Sequence, residues 1–158
     1  MKDKLKIRQI KKDDLDTLAQ IYTEVYEVFD IGEKWTKETA YPMLEYWIKK
    51  QPDLCFLCEL DGKIMGAFCT CVKPWWDGNH LSDAEFFIHP DYQKIGIGTK
   101  LLRFSLQQAI KKYKVIRLEA FTPRDKYPLE WYTKIGFEEI KEWAMISCNP
   151  KRILDNLK

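Results

Sequence analysis

Apolar residues recur along the chain with two different periods, and the switches between them mark out its elements. LKIRQI, residues 5–10, alternates with period two, as a half-buried strand does. Leu15, Leu18, Ile21, Tyr22, Val25 and Phe29 then share one helical face, with Asp13 and Asp14 offering an N-cap. FDIGEKW breaks that helix at Gly32. Thr36 is placed to cap a second helix reaching Lys50, in which Pro42 predicts a kink or a late start. DLCFLCEL, then Asp61-Gly62, then KIMGAFCTCV reads as strand, tight turn, strand. KPWWDGN makes a second turn at Asp77-Gly78 into the strand LSDAEFFIH, so three successive strands are antiparallel. Leu101, Leu102, Ser105, Ala109 and Tyr113 trace another helical face. VIRLEAF is a further strand, PLEWYTKI a short helix, and GFEEI and EWAMISC are closing strands. The order β-α-α-β-β-β-α-β-α-β-β, with no repeat or linker, predicts one mixed α/β (α+β) domain over residues 1–158.

Composition narrows the class. With 46% hydrophobic and 32% charged residues the chain is an ordinary globular one, and its 158 residues suffice for a substantial core. No apolar run approaches the roughly 18 to 20 residues that span a bilayer, so no membrane partner is expected. The opening MKDKLKIRQIKKDDLD lacks the apolar core of a signal peptide, which makes the cytoplasm the expected location. A net charge of +2 with scattered basic residues argues against nucleic acid, which calls for a concentrated stripe. Five cysteines include one C-x-x-C, Cys55 and Cys58. On a strand those two side chains face opposite ways, and no second pair or nearby histidine completes a zinc site. Buried reduced thiols, and no metal, are the expectation.

HPDYQKIGIGTKLL, residues 89–102, places two glycines one residue apart between a strand end and a helix start. A helix N-terminus carries unpaired N–H groups and partial positive charge, so a glycine loop feeding it is suited to an anion. Gly96 and Gly98 let backbone amides approach a phosphate, and Lys94 and Thr99 add donors. A dinucleotide G-x-G-x-x-G fails at Leu101, and a P-loop fails because Thr99 and Lys100 follow Gly98 in the wrong order. What remains is Q-x-x-G-x-G, formed by Gln93, Lys94, Ile95, Gly96, Ile97 and Gly98.

That loop resembles the [QR]-x-x-G-x-[GA] signature of the GNAT superfamily of acyl-CoA-dependent N-acyltransferases. FFIHPDYQKIGIGTKLL is similar to the family's run throughout, and EWYTKIGF resembles its second hallmark, Phe-Tyr-x-Lys-x-Gly-Phe, with Trp131 in place of Phe. The element order resembles the family's over nearly the whole chain. The resemblance implies one domain whose mixed sheet of about seven strands splays between the fourth and fifth, flanked by four helices.

It also implies acetyl-CoA as cosubstrate, its pyrophosphate on the amides of residues 94–99. Its pantetheine arm would run along backbone groups of Phe86, Phe87 and Ile88. Tyr132 falls at the family's general acid. Glu119, in RLEAF, and Glu85, in DAEFF, both fall at positions where relatives carry the base. Relatives often have Asn and Ala where this chain has Asp125 and Pro128; Asp125 can N-cap the helix, with Pro128 in its first turn. Cys69 and Cys71 raise an acyl-cysteine route, but direct transfer is the family's habit. The acceptor loops correspond to FDIGEKW, with Asp30 and Glu33, and KPWWDGNH, with Trp75, Trp76 and Asp77. Carboxylates with aromatic walls suit a cationic amine. A small-molecule amine, a peptide N-terminus and a non-catalytic acyl-CoA-binding module all stay open, as does a homodimer.

Overall fold

Residues 5–157 are described by a computed structural model, and their packing follows the two periods of the sequence. The chain forms two compact units, one ending at Phe121 and the other beginning at Thr122.

In the first unit, β1 (Leu5–Gln9) is followed by a single 3-10 turn, then α1 (Leu15–Phe29) and α2 (Lys37–Lys50). Asp14 is not a conventional cap. Its carboxylate takes the Lys11 N–H and both terminal nitrogens of Arg8, at 2.7 and 2.8 Å, and Arg8 also reaches Glu59. Thr36 does cap α2, its Oγ1 accepting from the Thr39 N–H at 3.3 Å. The helix starts at Lys37 and continues through Pro42 rather than beginning late.

The strands β2 (Cys55–Leu60), β3 (Lys63–Trp75), β4 (Gly78–Ile88) and β5 (Val115–Leu118) join β1 in one sheet of order β1-β2-β3-β4-β5. All neighbours are antiparallel except β4 and β5, which are joined through α3 (Ile97–Tyr113) and run parallel. A parallel pair needs such a crossover.

One face of the sheet packs on α1 and α2. Leu15, Leu18, Ala19, Tyr22, Ala40, Leu44 and Trp47 meet Ala67, Cys69, Cys71 and Phe87 in a single buried cluster. Aromatic pairs occupy the opposite face, Phe56 with Phe104 of α3 and Phe68 with Phe86. Gly66 is required by close packing, because a Cβ there would lie 2.2 Å from the Phe87 carbonyl oxygen. Cys55, Cys58, Cys69 and Cys71 are buried thiols, and burial pushes Cys58 up to about 12.

In the second unit, α4 (Tyr127–Lys134) and α5 (Pro150–Asn156) are the regular elements. Lys126, not Asp125, holds the N-cap position of α4, and no side chain bonds there; Pro128 does fall in the first turn. The sheet therefore has five strands rather than about seven, and the helices number five rather than four among the described residues. GFEEI and EWAMISC alternate as strands do, yet Ile140, Trp143, Met145 and Ile146 are exposed and no strand of their own unit lies alongside them. Alternation predicts a strand only where a neighbour takes up the backbone groups. The reading of the sequence also passed over α5, where Asn149 caps the helix by accepting from the Lys151 N–H at 2.9 Å and Pro150 opens it.

Candidate active site

β4 keeps company with β5 for only a few residues. Their pairing covers Asn79 to Leu81, and a 2.9 Å bond from the Glu119 N–H to the Leu81 carbonyl follows it. Beyond that point β4 runs on to Ile88, bent by a bulge in which Asp83 and Ala84 oppose Thr70 alone. Asp83 adopts φ +51 there. The fourth and fifth strands, expected to splay, are paired only as far as Leu81 and Leu118.

The His89 N–H donates to the Met65 carbonyl at 2.7 Å, which fixes the alternation of the ladder. Backbone groups of Glu85 and Phe87 turn toward β3, and those of Phe86 and Ile88 turn to the side β5 has left. The Ile88 carbonyl accepts from Gln93 Nε2 at 2.9 Å, tying the strand end to the loop.

The two glycines of that loop meet different needs. Gly96, the N-cap of α3, sits at φ +87 with open space where a Cβ would be, so its conformation requires glycine. Gly98 requires closeness: a Cβ there would lie 3.2 Å from Phe86 Cζ and 3.4 Å from Ile88 Cγ1. Lys94 also turns through a left-handed conformation, at φ +61. Lys100 makes the first helical bond, to the Gly96 carbonyl, so the first-turn amides of Ile97, Gly98 and Thr99 precede the ladder. Ile95 is exposed while Ile97 is buried and anchors the turn. This bare, glycine-built cradle fits a pyrophosphate, with exposed Lys94 and Thr99 beside it.

Both candidate carboxylates lie on the sheet face covered by α1 and α2. Register sets Glu85 opposite Cys69, Ser82 opposite Cys71 and His80 opposite both Lys73 and Arg117, and opposed residues share a face. Glu85 enters an aromatic enclosure. Tyr22 Oη donates to its Oε2 at 2.9 Å, and the Tyr22 ring packs on Tyr26, Trp35 and Phe87 with centroids 4.5, 5.2 and 5.0 Å away. Burial pushes the Glu85 carboxyl above its ordinary value; the Tyr22 hydrogen bond opposes this, and the charges of Glu33 and Asp83 add to it. The same burial raises Tyr22 strongly and lifts Tyr26 to about 12.

Glu119 sits where the two strands part, and its carboxylate meets His80. Nδ1 of that ring is 3.0 Å from Glu119 Oε1, and Nε2 is 2.8 Å from Asp77 Oδ1. His80 is 3% exposed against 35% for the Glu119 side chain. Ser82, between His80 and Glu85 along β4, has a buried Oγ with no hydrogen-bond partner. Neither His80 nor Tyr22 was singled out for chemistry by the sequence. His80 follows an Asp-Gly turn and reads as strand punctuation, and Tyr22 reads as one more core residue of a helical face.

The remaining expected residues are dispersed. Glu33 accepts from Trp35 Nε1 at 2.6 Å and acts electrostatically on Glu85. Asp30 is the left-handed C-cap of α1, its N–H bonded to the Tyr26 carbonyl. Trp75 ends β3 and Trp76 opens the β3–β4 turn; Lys73 Nζ lies 4.2 Å from the Trp75 ring centre, and Trp76 is 88% exposed. In the second unit Tyr132 lies on α4, its ring 5.0 Å from that of Phe137, whose N–H bonds the Tyr132 carbonyl as Gly136 turns the chain at φ +106.

A mixed sheet opened beside a glycine turn at a helix N-terminus sets the frame of the candidate site. The model of the Acetyltransferase (GNAT) family matches residues 15–137, and the chain belongs to that family. An uncharacterised N-acetyltransferase of Methanocaldococcus jannaschii is 31% identical over 144 residues, 87% of this chain and 63% of that protein. The chain therefore spans less than two thirds of that relative's length. Among solved structures, a possible acetyltransferase of Clostridium difficile superposes with a TM-score of 0.75 at 14% identity, covering 92% of this chain and 97% of its own. A predicted acetyltransferase of Clostridium acetobutylicum, solved with acetyl-CoA, gives 0.69 at 14% identity over 91% and 96%. At such identities the likeness is one of fold. No helix among the described residues is long and apolar enough to cross a membrane.

Proposed function

We propose that residues 1–158 act as one N-acetyltransferase domain, moving an acetyl group from acetyl-CoA directly to a primary amine. The observation that carries this reading is the Gly96–Gly98 cradle set beside a strand pair that opens at Leu81 and Glu119. Family membership supports it, as does the acetyl-CoA in one structural neighbour.

Acetyl-CoA supplies an activated acyl carbon and a thiolate leaving group. The chain's residues do the rest. Amides of Ile97, Gly98 and Thr99, with Lys94, hold the diphosphate, and the open edge of β4 at Phe86 and Ile88 guides the pantetheine arm. An alkyl ammonium, pKa about 10, must lose a proton before it can attack. Glu119 at the strand fork takes that proton. Tyr132, a phenol able to donate its O–H, returns one to the departing sulfur. Glu33 and Glu85, walled by Tyr22, Tyr26 and Trp35, draw in the ammonium.

A second reading makes Glu85 the base, favoured by its raised pKa, which suits proton transfer near neutrality better than an ordinary carboxylate.

Release of CoA thiol from acetyl-CoA across a panel of amines, with Tyr132→Phe alongside, tests the proposal. Amine-dependent release that falls about 10²-fold or more in the variant supports it. Tight acetyl-CoA binding with no turnover on any amine assigns the chain to a non-catalytic acyl-CoA-binding role instead.

A further inference from the structure

We infer that His80 is the positioning residue of the reaction, its Nδ1–H holding the Glu119 carboxylate at the fork of β4 and β5. The inference rests on the reading of Glu119 as base. Four observations carry it. His80 is locked in the strand at 3% exposure, so its ring has little freedom to leave. Nδ1 lies 3.0 Å from Glu119 Oε1, a hydrogen-bond distance to a side chain 39 residues away. On the opposite edge Nε2 lies 2.8 Å from Asp77 Oδ1, which fixes the rotation of the ring. Glu119 itself is held by its backbone through the N–H bond to Leu81, its carboxylate is over a third exposed, and among the described residues its side-chain hydrogen bond is to His80.

A base three torsions beyond its Cα samples several orientations unless something holds it, and reaction rates are steep in orientation. Burying a histidine between two carboxylates is also a costly way to fill a strand position, where an apolar residue would pack without polar demands. A polar bridge here between the β3–β4 turn and Glu119 makes sense as orientation of the reacting group. Proton positions matter: only a ring with a proton on Nδ1 donates to Glu119, and the contact to Asp77 is a hydrogen bond only when Nε2 carries a proton as well.

Two amides dissect the bridge. Asparagine carries its NH₂ near the place of Nδ1, and glutamine carries its near Nε2. His80→Asn therefore keeps the Glu119 contact, and His80→Gln keeps only the Asp77 contact. The expected result is kcat within about threefold of wild type for H80N and down roughly 10- to 100-fold for H80Q, with amine KM unchanged in both. H80Q on a Glu119→Gln background should cost nothing further. Equal losses in H80N and H80Q, while E119Q is severely impaired, overturn the positioning role and leave the base reading standing. An unimpaired E119Q removes the base reading and this inference with it.

Melting temperatures of each variant guard against misfolding. A measurement on the unmutated protein does not depend on them. The chain has two histidines, so long-range ¹H–¹⁵N spectra of the rings are readily assigned. A proton on His80 Nδ1 is expected; a ring protonated on Nε2 alone overturns the inference.

Discussion

Glu85 and Glu119 are the same residue type on the same face of one sheet, yet their surroundings differ in almost every respect. Glu85 lies under α1, held by the phenol of Tyr22, whose ring packs on three others, and burial lifts its pKa. Glu119 lies at the strand fork, a third exposed, held by an imidazole that a second carboxylate braces. A water-poor aromatic enclosure with extra negative charge from Glu33 suits a bound cation. A partly exposed carboxylate at the fork suits proton exchange, because it can give its proton to solvent after each turnover. Residue type narrows a role only to acid–base chemistry; in the proposed function the neighbours supplied by α1 and by the β3–β4 turn divide the labour.

Substitutions can break this division. The largest effect is expected from Glu119→Gln: steady-state assays should show kcat reduced 10²- to 10⁴-fold at neutral pH, with acetyl-CoA affinity by calorimetry unchanged. Glu85→Gln should instead raise the amine KM about tenfold and leave kcat within a few-fold, the loss of one charge-assisted contact. If E85Q collapses kcat and E119Q does not, the two roles are exchanged.

A third effect concerns stability. Glu85 has a folded pKa above its ordinary 4.5, so the folded chain retains a proton that the unfolded chain gives up. Its contribution to stability is complete below about 4.5 and declines as pH rises through the folded value. Glutamine still accepts from Tyr22 but cannot ionise. E85Q should therefore melt higher than wild type at neutral pH, and the difference should close as pH falls to 4.5; a constant gap across pH contradicts the burial argument. The smallest effect is expected at the β3–β4 turn: Trp76→Ala, at an 88% exposed side chain, should shift the amine KM by about twofold or less.

Much of this was legible in the sequence, for reasons that differ by region. The hairpin turns at Asp61-Gly62 and Asp77-Gly78 and the helical faces of α1 and α3 express local periodicity, and they form as read. The splay was expected from family likeness alone; its bulge at Asp83 and Ala84 has no marker in composition, because a bulge is a property of two paired strands. Residues 136–149 show where periodicity misleads, since alternation describes a strand only if a neighbour completes it. His80 and Tyr22 were missed because their partners, Glu119 and Glu85, lie 39 and 63 residues away, and only the register of β3, β4 and β5 and the docking of α1 bring them together.

The measurement that tests the account most directly is the pH dependence of acetyl transfer in wild type and E119Q with one shared amine. If Glu119 removes the ammonium proton, the deficit of E119Q should shrink as pH approaches the amine's own pKa of about 10, where solution supplies the neutral nucleophile. A deficit of the same size at every pH, or none at any, contradicts the assignment of the base to the strand fork.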